Sequence, residues 1–105
     1  MWYVDMGIKF SDKYDAFELA SYVEDTLAQP SQKVPSVRFE SAGSGLGFRD
    51  MQFSTDTYAE AVIIKWRIRS YLRSQGVFIP TDRPDVTSPI EDESYIDVGS
   101  FAVLP

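Results

Sequence analysis

Residues 2–10 alternate between strongly apolar side chains and side chains that are polar, small or amphipathic. The apolar members are Trp2, Val4, Met6, Ile8 and Phe10. A period of two over this length is typical of a β-strand with one buried face. Apolar residues then recur at helical spacing over about 13–28, with Ser11 or Asp12 available as the N-cap. The pattern therefore predicts a strand followed by a helix that ends before Pro30.

The middle of the chain alternates again, in two shorter stretches. Residues 37–40 and 48–53 predict a second and a third strand, joined as a hairpin by a flexible glycine-rich loop near 41–46. The alternation slips early in the third strand, which predicts a β-bulge around Arg49 and Asp50.

The clearest helical pattern begins at Thr57, which has the spacing of a capping box with Glu60. Its apolar positions follow two adjacent lines, together wider than packing on one sheet requires. The lines are Ala61, Ile64, Ile68, Leu72 and Ala59, Val62, Ile63, Trp66. A basic line with a spacing of four runs beside them and consists of Lys65, Arg69 and Arg73. Gly76 is placed to end the helix, and residues 77–79 then predict a short fourth strand.

The predicted order of strand, helix, strand, strand, helix and strand indicates an α+β protein. This order is typical of a ferredoxin-like two-layer sandwich, in which two helices cover one face of an antiparallel sheet. Residues 80–105 include Pro80, Pro84 and Pro89 and show no helical period, which predicts an extended C-terminal tail. We therefore expect an α+β domain over 1–79 and an acidic extended tail over 80–105.

Charge is divided unevenly between these two parts. The net charge is −6; residues 1–79 carry 10 acids and 9 bases, and residues 80–105 carry 6 acids and one arginine. The tail also ends in apolar residues. The basic line is most simply a solvated helix face, or it receives an acidic tail from this chain or a neighbour, which could also add a strand to a sheet edge. The residues expected to bind a partner are Lys65, Trp66, Arg69, Arg73, Tyr95, Ile96, Phe101, Val103 and Leu104.

The composition argues against an enzyme. The chain contains no cysteine and no histidine, which removes the commonest general base and the usual zinc ligands. No metal and no cofactor is expected, and Glu18, Glu24 and Asp25 are interpreted as a solvated helix face. No run reaches the ~20 apolar residues of a membrane span. The N-terminus also lacks the features of a secretory signal, so we expect a soluble intracellular protein without a membrane partner.

The stretch SAGSGLGFRDMQF, residues 41–53, invites two nucleic-acid or nucleotide interpretations. A phosphate-binding loop needs Gly-Lys-Ser/Thr followed by a helix, whereas Gly47 leads into Phe48 and a strand. The stretch superficially resembles the signature of an RNA recognition motif. However, Asp50 stands at a base-stacking position, where a carboxylate repels phosphate. Nucleic acid is therefore a disfavoured partner.

Three segments resemble the tail-completion or tail-terminator proteins of tailed bacteriophages. The segments are VPSVRFES, FRDMQFSTDTYAEA and IRSYL, within residues 34–72. In those proteins, the first segment is similar to a strand that begins with proline. The second is similar to a further strand followed by a helix start that contains Thr, Tyr, Ala and Glu, and the third is similar to a helix end that contains Arg and Leu. The resemblance implies a non-enzymatic subunit of a ring that closes the tail tube and meets the head connector. Such a protein would be found in the host cytoplasm or the virion.

Three functional hypotheses follow from the sequence. The first is a structural subunit of a homo-oligomer or multi-subunit assembly, such as a phage neck. The second is a small acidic inhibitor of a host effector, such as an immunity protein, antitoxin or phage counter-defence protein. The third is an RNA-binding domain like an RNA recognition motif.

Overall fold

A computed structural model describes residues 1–80 and 93–100. The elements, in chain order, are β1 (Trp2–Lys9), α1 (Ala16–Tyr22), a π-helical segment (Val23–Leu27), β2 (Arg38–Gly45), β3 (Phe48–Thr55), α2 (Tyr58–Ser74) and β4 (Tyr95–Ser100). The strands form one antiparallel sheet in the order β2-β3-β1-β4. Both helices pack against this sheet, so the fold is α+β with a helical layer on a sheet layer.

The predicted alternation of the first strand is confirmed. Val4, Met6 and Ile8 of β1 are completely buried beneath the helices. The predicted strand continued to Phe10, but β1 ends one residue earlier. Phe10 is partly exposed and stacks on Phe17, with ring centroids 5.5 Å apart.

The first helix begins later than predicted, because its N-cap is Asp15. The Oδ1 atom of Asp15 accepts hydrogen bonds from the backbone N–H groups of Phe17 (3.0 Å) and Glu18 (3.2 Å). Ser11, one of the predicted caps, instead accepts a bond from the backbone of Lys13 within a local turn. The last turns are π-helical, and the helical region ends before Pro30 as predicted. Stacked tyrosines on α1 and α2 join the two helices.

The hairpin between β2 and β3 is tighter than predicted. β2 extends to Gly45, so only Leu46 and Gly47 form the turn, with φ values of 52° and 86°. Positive φ at both central residues is the geometry that a two-residue hairpin needs. The glycine-rich stretch is therefore mostly strand.

The predicted bulge in the third strand is wrong. Arg49 and Asp50 pair in regular register with β1, and the register shift lies in β2 between Phe39 and Ser41. The apparent slip has a simpler cause: Phe48 lies on the opposite sheet face from Met51, so no extra residue is needed.

The predicted apolar lines of α2 have different environments. Ala61, Ile64, Ile68 and Leu72 are completely buried against the sheet. The second line is half-buried or exposed along its length, and its Trp66 is 51% exposed. The second apolar line is therefore not fully buried by packing among the described residues.

The fourth strand comes from the segment predicted to be a tail. Residues 77–79 form no strand, because the chain turns back after α2 and the Val77 N–H bonds to the Leu72 carbonyl (3.0 Å). The sheet is instead completed by β4, which pairs with β1 and places Ile96 opposite Met6. The prediction of a tail separate from the domain therefore fails for Tyr95–Ser100. The other tail residues, 81–92 and 101–105, lie outside the described residues.

Glu60 connects the start of α2 to the segment that enters β2. Thr57 is the N-cap, as the capping-box spacing predicted, since its Oγ1 accepts from the Glu60 N–H (3.2 Å). The reciprocal bond differs from that of a capping box, because Glu60 Oε1 accepts from the Thr57 hydroxyl (2.9 Å) and not from the Thr57 backbone N–H. Ser36 donates to Glu60 Oε2 from its hydroxyl (2.7 Å) and its backbone N–H (2.9 Å). The Ser36 hydroxyl, its backbone N–H and Thr57 hold the pKa of Glu60 below its usual 4.5.

This lowered pKa predicts a pH-dependent contribution of Glu60 to stability. Since the folded-state pKa lies below the unfolded value, the stabilisation is fully present above pH 4.5 and is lost as the pH falls through the folded value. Glu60→Gln should therefore unfold at a lower temperature than the wild type at neutral pH, with the gap closing on acidification. Thermal unfolding followed by circular dichroism measures this gap. Glu24→Gln, whose carboxylate has no hydrogen-bond partner among the described residues, is the control; a Glu60→Gln gap that stays constant with pH would contradict the prediction.

Candidate functional site

One face of the sheet is left uncovered by the helices, and we call it the open sheet face. Strand periodicity and register place on it Tyr3, Asp5, Gly7 and Lys9 of β1, Phe48, Asp50, Gln52 and Ser54 of β3, and Tyr95, Asp97 and Gly99 of β4. Three of these side chains are carboxylates. The cations lie at the periphery: Lys9 ends β1, and Arg38 at a far corner of β2 is paired with Asp56 at 3.0 Å.

A shallow cavity of about 160 Å³ lies on the open sheet face. Asp5, Asp50, Gln52 and Tyr95 provide its polar and aromatic groups, while Ser41, Ala42 and Gly43 of β2 form a side of small residues. Asp50 faces outward here, on the same sheet face as Phe48. The carboxylate that argues against base stacking is therefore on the exposed side of the strand.

Hydrogen bonds between the strands fix these side chains. Gln52 Nε2 donates to Asp5 Oδ1 (2.9 Å), and the Tyr95 hydroxyl donates to Asp50 Oδ1 (3.2 Å). The ring of Tyr95 lies across Gly7, where a side chain would overlap it. The absence of a side chain at Gly7 thus allows β4 to reach across β1 and contact β3.

Electrostatically, the open sheet face favours a positive partner. Partial burial raises the pKa of Asp5, the Gln52 hydrogen bond lowers it, and Asp97 directly opposite on β4 raises it further. Like charges placed opposite each other on adjacent strands destabilise a sheet. A cation brought to this face would offset that repulsion. Within residues 1–80 and 93–100, no group of acids is arranged to hold a metal ion.

The structure brings three of the predicted α2 residues together as a cation–aromatic stack. Lys65 Nζ lies 5.9 Å and Arg69 Cζ lies 5.3 Å from the centroid of the Trp66 ring. Arg69 is only 3% exposed, whereas Arg73 is exposed at the last turn. The predicted basic line is therefore not uniformly solvated: one cation is buried beside Trp66, and the outer cations remain accessible.

The predicted C-terminal contact residues separate in the structure. Tyr95 lies on the open sheet face, but Ile96 is 6% exposed and belongs to the hydrophobic core opposite Met6. Ile96 is therefore a core residue and not an accessible partner contact. The other predicted contacts, Phe101, Val103 and Leu104, lie outside the described residues.

Sequence reasoning missed Asp5, Asp50 and Gln52 as site residues. A signal for Asp5 was present, because it stands among the odd-numbered positions opposite the buried face of β1. Finding the cavity also required the register of β3 and the true position of β4, and neither follows from periodicity alone.

Gly7→Ala should destabilise the protein by about 1–2 kcal/mol, because the added methyl group displaces the Tyr95 ring and weakens its hydrogen bond to Asp50. Urea unfolding measures the difference. Gly43→Ala is a matched control on the same sheet, with open space around the new methyl group. It should change stability by less than about 0.5 kcal/mol. Equal losses in the two variants would show that Tyr95 is not held across Gly7.

The chain was also compared with known proteins. Comparison with protein-family models, with curated proteins and with solved structures finds no match. Among the described residues, no helix has the length and apolar character needed to cross a membrane. Functional proposals therefore rest on the surfaces of this chain: the open sheet face and the cation–aromatic stack.

Proposed function

We propose that this protein is a non-enzymatic structural subunit that associates with copies of itself in a larger assembly. The element order and the antiparallel order β2-β3-β1-β4 support a ferredoxin-like two-layer sandwich as its scaffold. Since that layout serves many functions, the proposal depends on the surfaces that the scaffold presents.

The observation that carries the proposal is the exposure of Trp66. Its ring is 51% exposed on α2, with Lys65 and Arg69 beside it. Tryptophan and arginine are the residues most enriched among those that dominate binding energy at protein interfaces. The contacts with the two cations also hold the ring in place, so little side-chain entropy remains to be lost on binding.

The assembly we favour is the neck of a tailed bacteriophage. This more specific proposal rests on the resemblance over residues 34–72, which span β2, β3 and most of α2. The resembling region therefore includes the helix that carries Trp66. A ring subunit needs two accessible surfaces that meet in neighbouring copies, and α2 supplies one of them.

Trp66→Ala should weaken self-association at least tenfold while leaving the fold intact. The reason is that an interface loses a large apolar anchor, which typically costs about 2 kcal/mol or more. Size-exclusion chromatography with light scattering over a concentration series measures the change. Leu46→Ala is the control, because Leu46 is a fully exposed apolar residue at the hairpin turn. If Trp66 only shields Arg69, oligomeric state will not change, and a wild type that stays monomeric at high concentration would refute self-assembly.

A second candidate function is that of an acidic inhibitor protein. It is favoured by the carboxylates of the open sheet face, which match a target that normally binds nucleic acid through cations. In this case a pull-down from host lysate should recover one effector at a fixed ratio, and Asp50→Asn should reduce the recovery. Capture that is unaffected by Asp50→Asn and by ionic strength would contradict this function.

A further inference from the structure

We infer that the open sheet face of one copy receives α2 of a second copy, so that subunits associate head to tail. This inference rests on the proposed self-assembly and names its two contact surfaces. The receiving surface is the cavity region of the open sheet face, with Asp5 and Asp50. The inserted surface is the outer side of α2, with Lys65, Trp66 and Arg73.

The two surfaces match in size. α2 has 17 residues and is therefore roughly 25 Å long, while the 8-residue strands β1 and β3 each span roughly 27 Å. A helix is about 10 Å across with its side chains, and a four-stranded sheet is roughly 15–20 Å wide. One helix can therefore lie along the open sheet face without passing its edges.

The two surfaces are also complementary in charge. α2 contains four cations, and its single acid, Glu60, is buried and bonded to Ser36 and Thr57. The second half of α2, residues 65–73, is thus positive, with half-buried Lys65 and exposed Arg73 at its surface. On the receiving side, Asp5 and Asp50 border the cavity, and the nearest cations lie at the periphery of the sheet. Electrostatic complementarity of this kind selects the partner and its orientation.

The chemistry of the cavity suits the residues that α2 presents. The indole N–H of Trp66 is a donor with no acceptor among the described residues, and the carboxylates of Asp5 and Asp50 are acceptors. Guanidinium and ammonium groups form shorter and stronger hydrogen bonds with carboxylates than neutral donors do. The small residues Ser41 and Gly43 leave room beside these acids for a bulky side chain.

A contact between two different faces determines the form of the assembly. A subunit whose open sheet face is occupied can still insert its α2 into another copy. A subunit whose α2 is inserted can still receive another copy on its open sheet face. Such heterologous contacts continue until a ring closes or a filament grows. A two-fold dimer, by contrast, would place the same face of both copies in contact.

The decisive experiment uses complementary charge-reversal variants of the full chain. Asp50→Lys blocks the receiving face, and Lys65→Glu/Arg73→Glu blocks the inserted face. Each variant alone should associate at least tenfold more weakly than the wild type in light scattering. Mixed together, they should associate again, because the unaltered α2 of one variant meets the unaltered open sheet face of the other, and the two reversed surfaces are also opposite in charge.

Controls separate the contact from effects on folding or net charge. Asp25→Lys and the double change Lys13→Glu/Lys33→Glu make matched charge changes at exposed positions outside both surfaces, and they should leave association unchanged. Circular dichroism checks the fold, and Asp50→Asn is the milder variant to use if Asp50→Lys does not fold.

The outcomes distinguish the head-to-tail contact from self-assembly in general. Recovery of association in the mixture supports the head-to-tail contact. A wild type that assembles, with variants that assemble equally well or with no recovery on mixing, overturns this contact and leaves the proposed self-assembly standing. A wild type that is monomeric at every concentration overturns both.

Discussion

The position of β1 between β3 and β4 constrains the rest of the structure. β1 is hydrogen-bonded along both edges, to β3 and to β4. Its alternation therefore determines which side chains of all three strands point toward the helices and which point to the open sheet face. Val4 pairs with Phe53 on one side and with Val98 on the other, so the side chains of all three point toward the helices. Asp5 pairs with Gln52 and with Asp97, so these three side chains lie on the open sheet face. A shift of one residue would bury carboxylates and expose the core, so the packing of the core and the chemistry of the open face are specified together.

The sequence predicts elements whose signals are local. The alternation of residues 2–10 and the N-cap at Thr57 each depend on neighbours within one turn or strand, and the structure contains both. The width of the apolar stripe on α2 also agrees with the structure, in which one line packs on the sheet and the other retains the exposed Trp66.

The predictions that failed concern alternatives with equal local signals, such as two possible fourth strands, between which only tertiary contacts decide. Residues 77–79 and 95–100 both have an apolar pattern suited to a strand, but only Tyr95–Ser100 place Ile96 and Val98 beside Met6 and Val4. Likewise, Ser11, Asp12 and Asp15 are all chemically suitable helix caps, and the structure uses Asp15. The cavity could not be predicted, because it combines residues from four strands whose register is not a local property.

The separation of charge across the fold is the physical basis for the proposed association between copies. The open sheet face and the outer side of α2 lie on opposite sides of two layers, roughly 15–20 Å apart. The Debye length at physiological ionic strength is about 8 Å, so attraction between these faces within one subunit is largely screened. α2 of the same chain therefore offsets little of the repulsion between Asp5 and Asp97. The proposed contact between copies would bring these opposite charges within a few ångströms of each other, where their attraction is strongest.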